Sequence, residues 1–114
     1  GNGFNLDSNQ PAEVIMPNGI QFTLISTNQN FSCALGNDYA AYCWGIGTSG
    51  QIGNGHNQSI NIPTKVVMPG GLKFAQISTN TGFSCALTRV GKAFCWGDST
   101  NGHIGNGTEK DIKL

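Results

Sequence analysis

The chain has 114 residues, enough for one small domain, and only 11% of them are charged. Six Lys and Arg residues balance six Asp and Glu residues, and the cations stand singly along the sequence. This distribution predicts no nucleic-acid partner, since it supplies no basic stripe, and no membrane insertion, since no apolar run approaches the roughly 20 residues that span a bilayer.

Four short strands are predicted in the first half of the chain, because helical periodicity is missing and Gly, Pro or Asn recurs about every ten residues. The strands are expected near residues 13–16, 22–26, 31–35 and 41–45. Both faces of the hairpin formed by the last two carry apolar side chains, which favours a sheet stacked between two neighbours.

The central hairpin predicts a specific register. Phe31, Cys33 and Leu35 alternate with smaller residues, which is the period of two expected of a strand. If the turn centres on Asp38, Cys33 lies directly opposite Cys43. Opposed Cα atoms at a non-hydrogen-bonded position are about 4.5 Å apart, a distance that a disulfide accepts.

The whole pattern returns with a period of 52 residues (53 − 1), since the Gly-Asn-Gly at residue 1 recurs at residues 53 and 105. The copies cover residues 1–52 and 53–104, and residues 105–114 begin a third. Because such repeats bury their faces against neighbours, further repeats or other subunits are expected to cover the ends. A chain that begins inside a repeat and without Met is interpreted as a piece of a longer protein.

The four cysteines are predicted to form two bridges, Cys33–Cys43 and Cys85–Cys95, with buried free thiols as the alternative. Each pair is too widely spaced for a usual zinc site, and two equivalent pairs do not resemble one activated nucleophile. No metal, cofactor or catalytic residue is predicted. Bridged cysteines predict an extracytoplasmic location (secreted, periplasmic or cell surface), because the cytosol keeps thiols reduced.

Three motifs recur in the chain, Ile-Ser-Thr-x3-Phe-Ser-Cys-Ala-Leu, Cys-Trp-Gly and Pro-x2-Val, and a fourth, Gly-Gln-Ile-Gly-Asn-Gly, returns with His103 in the place of Gln51. Together they resemble the regulator of chromosome condensation repeat over essentially the whole chain. The resemblance implies an all-β fold, with about two four-stranded blades of a β-propeller that commonly has seven. The cysteine-containing version resembles the bacterial and extracellular branch of this family.

The resemblance implies protein binding, since relatives are exchange factors for small GTPases, chromatin binders, inhibitors of secreted β-lactamases and light sensors. The predicted function is a non-enzymatic protein-binding propeller segment, acting as an extracytoplasmic scaffold or as part of a cell-envelope or surface assembly. The alternative is a regulatory propeller, either a small-GTPase exchange factor or an inhibitor of a secreted hydrolase. An enzyme is not expected, because no cluster joins a nucleophile, a base and an orienting group.

The predicted partner contacts are the loop positions at which the two copies differ. Repeats that share a scaffold of strands usually differ in binding specificity through their loops. These positions are Phe4, Asn37, Asp38, Tyr39, His56, Arg89, Lys92 and Asp98. The apolar members, Phe4 and Tyr39, are expected to contribute most.

Other conspicuous residues have simpler interpretations. Trp44 and Trp96 recur at the same point of each hairpin, which favours packing between blades over a role in an interface. His56 and His103 lie in Gly- and Asn-rich loops and are interpreted as solvated rather than as metal ligands. The Asn-Gly pairs are interpreted as tight turns rather than as phosphate-binding loops.

Overall fold

The computed structural model describes residues 1, 3, 5, 10–47, 52–53, 55, 58–67 and 72–97. The strands in this part of the chain are β1 (Phe22–Thr27), β2 (Phe31–Gly36), β3 (Ala41–Gly45), β4 (Ile60–Lys65), β5 (Phe74–Thr79), β6 (Phe83–Thr88) and β7 (Ala93–Gly97). They form two antiparallel sheets with the strand orders β1-β2-β3-β4 and β5-β6-β7. The prediction of an all-β fold is confirmed.

The predicted register of the central hairpin is also confirmed. Cys33 lies opposite Cys43 and Ser32 lies opposite Trp44 across β2 and β3. The second hairpin repeats the arrangement, with Cys85 opposite Cys95. Side-chain alternation about one turn centre was therefore enough to determine which residues face each other.

The strand predicted at residues 13–16 is wrong. This segment has no strand pairing, and the fourth strand of the first sheet is instead β4, which pairs with β3 from beyond residue 52. Val14 lies beside Gly1 and the Trp44 indole, and the Ile15 N–H donates to the Gly1 carbonyl at 2.8 Å. Ile15 is 51% exposed, so the apolar residues of this segment indicated neither strand pairing nor uniform burial.

A sheet of this molecule therefore crosses the boundary between the sequence copies. β4 is an edge strand, and Pro63 lies where its ladder with β3 is interrupted, between the Cys43–Thr64 and Gly45–Ile60 pairs. Proline is tolerated at such a position because it has no N–H to contribute to a ladder.

The two sheets pack face to face around a shared core. Its buried members are Phe31, Cys33, Leu35, Ala41, Cys43, Ile52, Val66, Phe74, Ala86 and Trp96. β5 of the second sheet contacts both β1 and β2 of the first, and Ile52 and Val66 fill the space beside them. Trp96 is part of this core, as the prediction of packing between blades expects, whereas Trp44 is buried outside it and stacks on Phe22 of its own sheet.

The glycine of each Cys-Trp-Gly motif lies at the end of its hairpin that is away from the turn, opposite Phe31 or Phe83. Gly45 and Gly97 have φ values of +117° and +110°, which side-chain-bearing residues rarely adopt. A Cβ at either position would lie only 2.6 Å and 2.8 Å from the Cα of Phe31 and Phe83, respectively. Glycine therefore lets the last residue of one strand approach the first residue of its partner.

Candidate functional site

The turns of the two hairpins lie at the same end of the sheets. We name this region the hairpin end and define it as residues 37–40, 65–67, 72–73 and 89–92. The Asn37 N–H donates to the Gln21 carbonyl at 2.8 Å, and the equivalent Arg89 N–H donates to the Lys73 carbonyl at 3.3 Å. The same backbone contact therefore anchors each turn to the residue directly before β1 or β5.

The first turn is held by its own side chains. Asp38 accepts a hydrogen bond from the Ala40 N–H at 3.1 Å and another from the Tyr42 hydroxyl at 2.8 Å. Burial raises the pKa of Tyr42 to about 12, and the hydrogen bond to Asp38 and its negative charge act in the same direction. Tyr42 therefore stays protonated and keeps the Asp38 carboxylate directed toward the strand.

The second turn reaches the same backbone shape with different residues. Tyr39 has a φ of +63°, and its counterpart Gly91 has a φ of +88°. The Lys92 N–H donates to the Thr88 hydroxyl at 3.0 Å, where the first turn uses the Asp38 carboxylate. The two turns therefore share a backbone conformation but carry different side chains.

Tyr39 contacts the second sheet directly. The Arg89 guanidinium carbon lies 4.7 Å from the centre of the Tyr39 ring, and the Lys73 ammonium lies 5.5 Å from it. The Phe74 N–H also donates to the Tyr39 carbonyl at 2.9 Å. Two of the predicted contact residues, Tyr39 and Arg89, thus meet through a cation–π contact while Tyr39 stays 42% exposed.

The hairpin end also gathers the cations. All Lys and Arg residues of the described part belong to it: Lys65, Lys73, Arg89 and Lys92. One groove is lined by Asp38, Lys65, Val67 and Leu72 among others, and a second groove shares Leu72 and Lys73 with it and extends to Arg89 and Val90.

Sequence reasoning missed this cluster, although a signal was present. Each of the four cations stands in the second copy where the first copy has another residue: Glu13, Gln21, Asn37 and Ala40. Of the remaining predicted contacts, Asn37 lies in the first turn, whereas Phe4, His56 and Asp98 lie outside the described residues.

The opposite end of the sheets is uncharged in the described residues and joins the sheets to each other. The Asn28 amide donates to the Asn80 carbonyl at 2.9 Å, and the Asn30 amide donates to the Thr81 carbonyl at 3.2 Å. Ser26 and Thr79 share a hydroxyl hydrogen bond of 3.0 Å. We name residues 26–30 and 79–82 the asparagine end.

All four cysteines are bridged. Cys33–Cys43 and Cys85–Cys95 have S–S distances of 2.06 Å and 1.99 Å, and the alternative of free thiols does not apply to this structure. Among the described residues, no group of three or more His, Cys, Asp or Glu side chains could hold a metal ion. The same part of the chain has no helix that is long and apolar enough to cross a membrane.

Comparison with known families identifies the repeat. The family model named Regulator of chromosome condensation (RCC1) repeat matches residues 40–87, and a second model of the same repeat matches residues 74–102. The human E3 ubiquitin-protein ligase HERC2 is 28% identical over 103 residues, which cover 90% of this chain and 2% of HERC2. The Arabidopsis thaliana ultraviolet-B receptor UVR8 is 34% identical over 87 residues, 76% of this chain and 20% of UVR8.

Solved structures show the same fold. Human WBSCR16 matches with a TM-score of 0.84 at 22% identity. The match covers 98% of this chain and 30% of the WBSCR16 chain. Prp20p from Saccharomyces cerevisiae has a TM-score of 0.76 at 21% identity, with coverages of 89% and 26%. The ectodomain of the Physcomitrella patens receptor kinase CR4 has a TM-score of 0.59 at 21% identity, with coverages of 88% and 25%.

The chain thus spans a small part of each of these proteins. The two relatives come from a human and a plant, so membership of a bacterial branch stays a prediction. The two repeat matches together run from residue 40 to residue 102, and the two stacked sheets have the architecture of propeller blades. The chain therefore belongs to the RCC1 repeat family and forms about two blades of a β-propeller.

Proposed function

We propose that the chain is a protein-binding part of an RCC1-repeat propeller and that its hairpin end contacts the partner. The observation that carries this proposal is the pair of turns with one backbone frame and different displayed side chains, Tyr39 on one and Arg89 with Val90 on the other. Prp20p, which shares the fold, binds Gsp1p and histones, and this supports a binding role.

The proposed role is binding rather than catalysis. HERC2 is named as a ubiquitin ligase, but the matched region is 2% of that protein, so we do not extend the ligase activity to this chain. A rigid stack of sheets that displays loops is suited to recognition, because specificity can change at the loops while the frame is kept.

We further propose that the protein acts outside the cytosol, as a scaffold or as part of a cell-envelope or surface assembly. The two bridges support this location, because reducing compartments keep thiols free. The fold also occurs in the ectodomain of CR4. The alternative role, regulation of a small GTPase, favours the cytosol and free thiols, whereas an inhibitor of a secreted hydrolase is compatible with the bridges.

Photo-crosslinking tests the contact surface. We would replace Tyr39 with p-benzoylphenylalanine, irradiate the protein in its native source and identify the attached protein by mass spectrometry. The control carries the same amino acid at Gln29, an exposed residue of the asparagine end. We expect one partner protein attached from position 39 and not from position 29. Attachment from position 29 alone, or equally from both positions, would contradict the assignment to the hairpin end.

Thiol trapping tests the compartment. Free thiols would be alkylated with iodoacetamide before lysis, and the mass of the intact protein would then be measured. We expect no alkyl group on Cys33, Cys43, Cys85 or Cys95. Alkylation of all four would reject the extracytoplasmic role and favour the cytosolic regulator.

A further inference from the structure

The hairpin end carries an excess of positive charge although the whole chain carries none. Its charged side chains are four cations (Lys65, Lys73, Arg89 and Lys92) and one carboxylate, that of Asp38. The Asp38 carboxylate already accepts hydrogen bonds from the Tyr42 hydroxyl of β3 and from the Ala40 N–H of its own turn. The positive charge of the surface is therefore only partly offset.

Apolar side chains lie between these cations. Val67 is 49% exposed and Val90 is 78% exposed, and half-buried Leu72 joins the two grooves that they line. Protein interfaces commonly combine an apolar centre with a polar rim. The pattern favours a protein partner over a nucleic acid, whose binding sites are basic stripes that follow a phosphate backbone.

The contact with Tyr39 positions two of the cations. Arg89 and Lys73 both lie over the ring of Tyr39, at 4.7 Å and 5.5 Å from its centre, and the attraction between a cation and an aromatic face restrains long side chains. Restraint lowers the entropy lost on binding. Guanidinium groups also match the geometry of carboxylates, which accept two parallel hydrogen bonds from them.

We propose that the hairpin end binds an acidic protein segment, whose carboxylates face Lys73 and Arg89 and whose apolar side chain lies against Val67 and Leu72. This inference rests on the proposed function and specifies the chemistry of the partner. Exposed charges of this kind mainly set association rate and specificity, so the binding is strongly dependent on salt.

A synthetic probe tests the inference with the complete chain. The probe is a fluorescein-labelled peptide of Asp and Glu residues with a central Leu, and its matched control replaces them with Asn and Gln. We expect an increase in fluorescence anisotropy with the acidic peptide alone. Binding should be lost when salt is raised from about 0.1 M to about 1 M, because the screening length falls from about 10 Å to about 3 Å.

Paired variants distinguish the effect of charges at the hairpin end from the effect of the net charge of the whole chain. The variant K73Q/R89Q and the control Q29E/T81E both lower the net charge by two, one at the hairpin end and the other at exposed positions of the asparagine end. We expect roughly tenfold weaker peptide binding for the first and unchanged binding for the second. Because Lys73 and Arg89 also contact Tyr39, K65Q/K92Q serves as a second test that leaves that contact intact.

Three outcomes would overturn the inference. They are failure of the acidic peptide to bind, equal weakening by K73Q/R89Q and Q29E/T81E, and tighter binding of a single-stranded oligonucleotide than of the peptide. If a partner is crosslinked from position 39 but the peptide does not bind, the inference fails and the proposed function stands. If the peptide binds but no partner is crosslinked, the charge chemistry stands and the proposed function fails.

Discussion

The two sheets contain the same repeat, yet their disulfides lie in different surroundings. Cys33 and Cys43 are fully buried between the sheets, and the Cys33 sulfur lies 3.6 Å from the hydroxyl of Ser84. The equivalent Cys85 and Cys95 are half-buried on the outer face of the second sheet. Because the two hairpins share their register and the sequence around each cysteine, the difference follows from what packs against each hairpin, which for the first includes Ser84 of the second sheet and β4.

On the opposite faces of the sheets, burial of equivalent residues also depends on what lies against them. Ile77 packs against the core that the two sheets share, whereas its counterpart Ile25 is 60% exposed. Burial of a given position in this repeat is therefore a property of the stack rather than of the residue. Unequal effects of equivalent substitutions in the two sheets would test this conclusion.

The largest expected difference concerns the aromatic residues that begin β1 and β5. Phe74 is fully buried beneath the first sheet and stacks on Trp96, whereas half-buried Phe22 stacks on Trp44. We expect Phe74→Ala to lower the free energy of unfolding by about 3–5 kcal/mol and Phe22→Ala to have a clearly smaller effect. Urea unfolding would measure both, and equal losses would show that the sheets do not stack this way in solution.

The two disulfides should also be reduced at different rates. We expect Cys85–Cys95 to be reduced at least about tenfold faster than Cys33–Cys43, because thiolate attack on a buried bridge requires prior opening of the core. Timed dithiothreitol treatment with alkylation and peptide mapping would measure this order. In the urea-unfolded chain the two rates should be equal, because each bridge closes a loop with the same sequence separation of 10. Equal rates in the folded chain would contradict the difference in burial.

The two turns should respond differently to substitutions at their left-handed position. Gly91→Ala should cost about 1 kcal/mol, since φ is +88° and no atom lies close enough for a Cβ to clash. Tyr39→Gly should be nearly neutral, because relief of backbone strain offsets the lost cation–π contacts, whereas Tyr39→Ala should cost about 1 kcal/mol. Thermal unfolding would compare the three. A larger loss for Tyr39→Gly than for Tyr39→Ala would refute the strain argument.

The smallest expected difference is a pH dependence confined to the first sheet. Tyr42 has its pKa raised from 10.0 to about 12, and its counterpart in the second sheet is Phe94, which does not titrate. Between these pH values the unfolded chain releases the Tyr42 proton while the folded chain retains it, so stability should fall as pH rises from about 10 to 12. Tyr42→Phe should remove this part of the slope in urea unfolding measured across that range. An unchanged slope would show that Tyr42 does not titrate differently in the two states.

Local features of the fold were readable from the sequence. Alternation of Phe31, Cys33 and Leu35 about a turn at Asp38 predicted the register, because opposite residues in a short hairpin are determined by the turn centre. The strand at residues 13–16 was predicted wrongly, because its apolar residues suggested a strand, whereas Val14 lies beside Gly1 and Trp44 without strand pairing.

The candidate surface was only partly readable. Tyr39 and Arg89 were predicted as contacts from the differences between the copies, but nothing in their spacing of 50 residues indicated that they touch. Lys65 and Lys73 were passed over as single cations, since their association with Arg89 exists only across two grooves of the folded chain.

The sequence by itself thus determined the repeat, the hairpin register and the cysteines that face each other, because strand alternation and a short turn act over a few residues. The tertiary structure alone decided that the first sheet takes its fourth strand, β4, from the second copy, which disulfide is buried and where the cations gather. These features depend on which sheet lies against which, and that packing joins residues from different copies of the repeat.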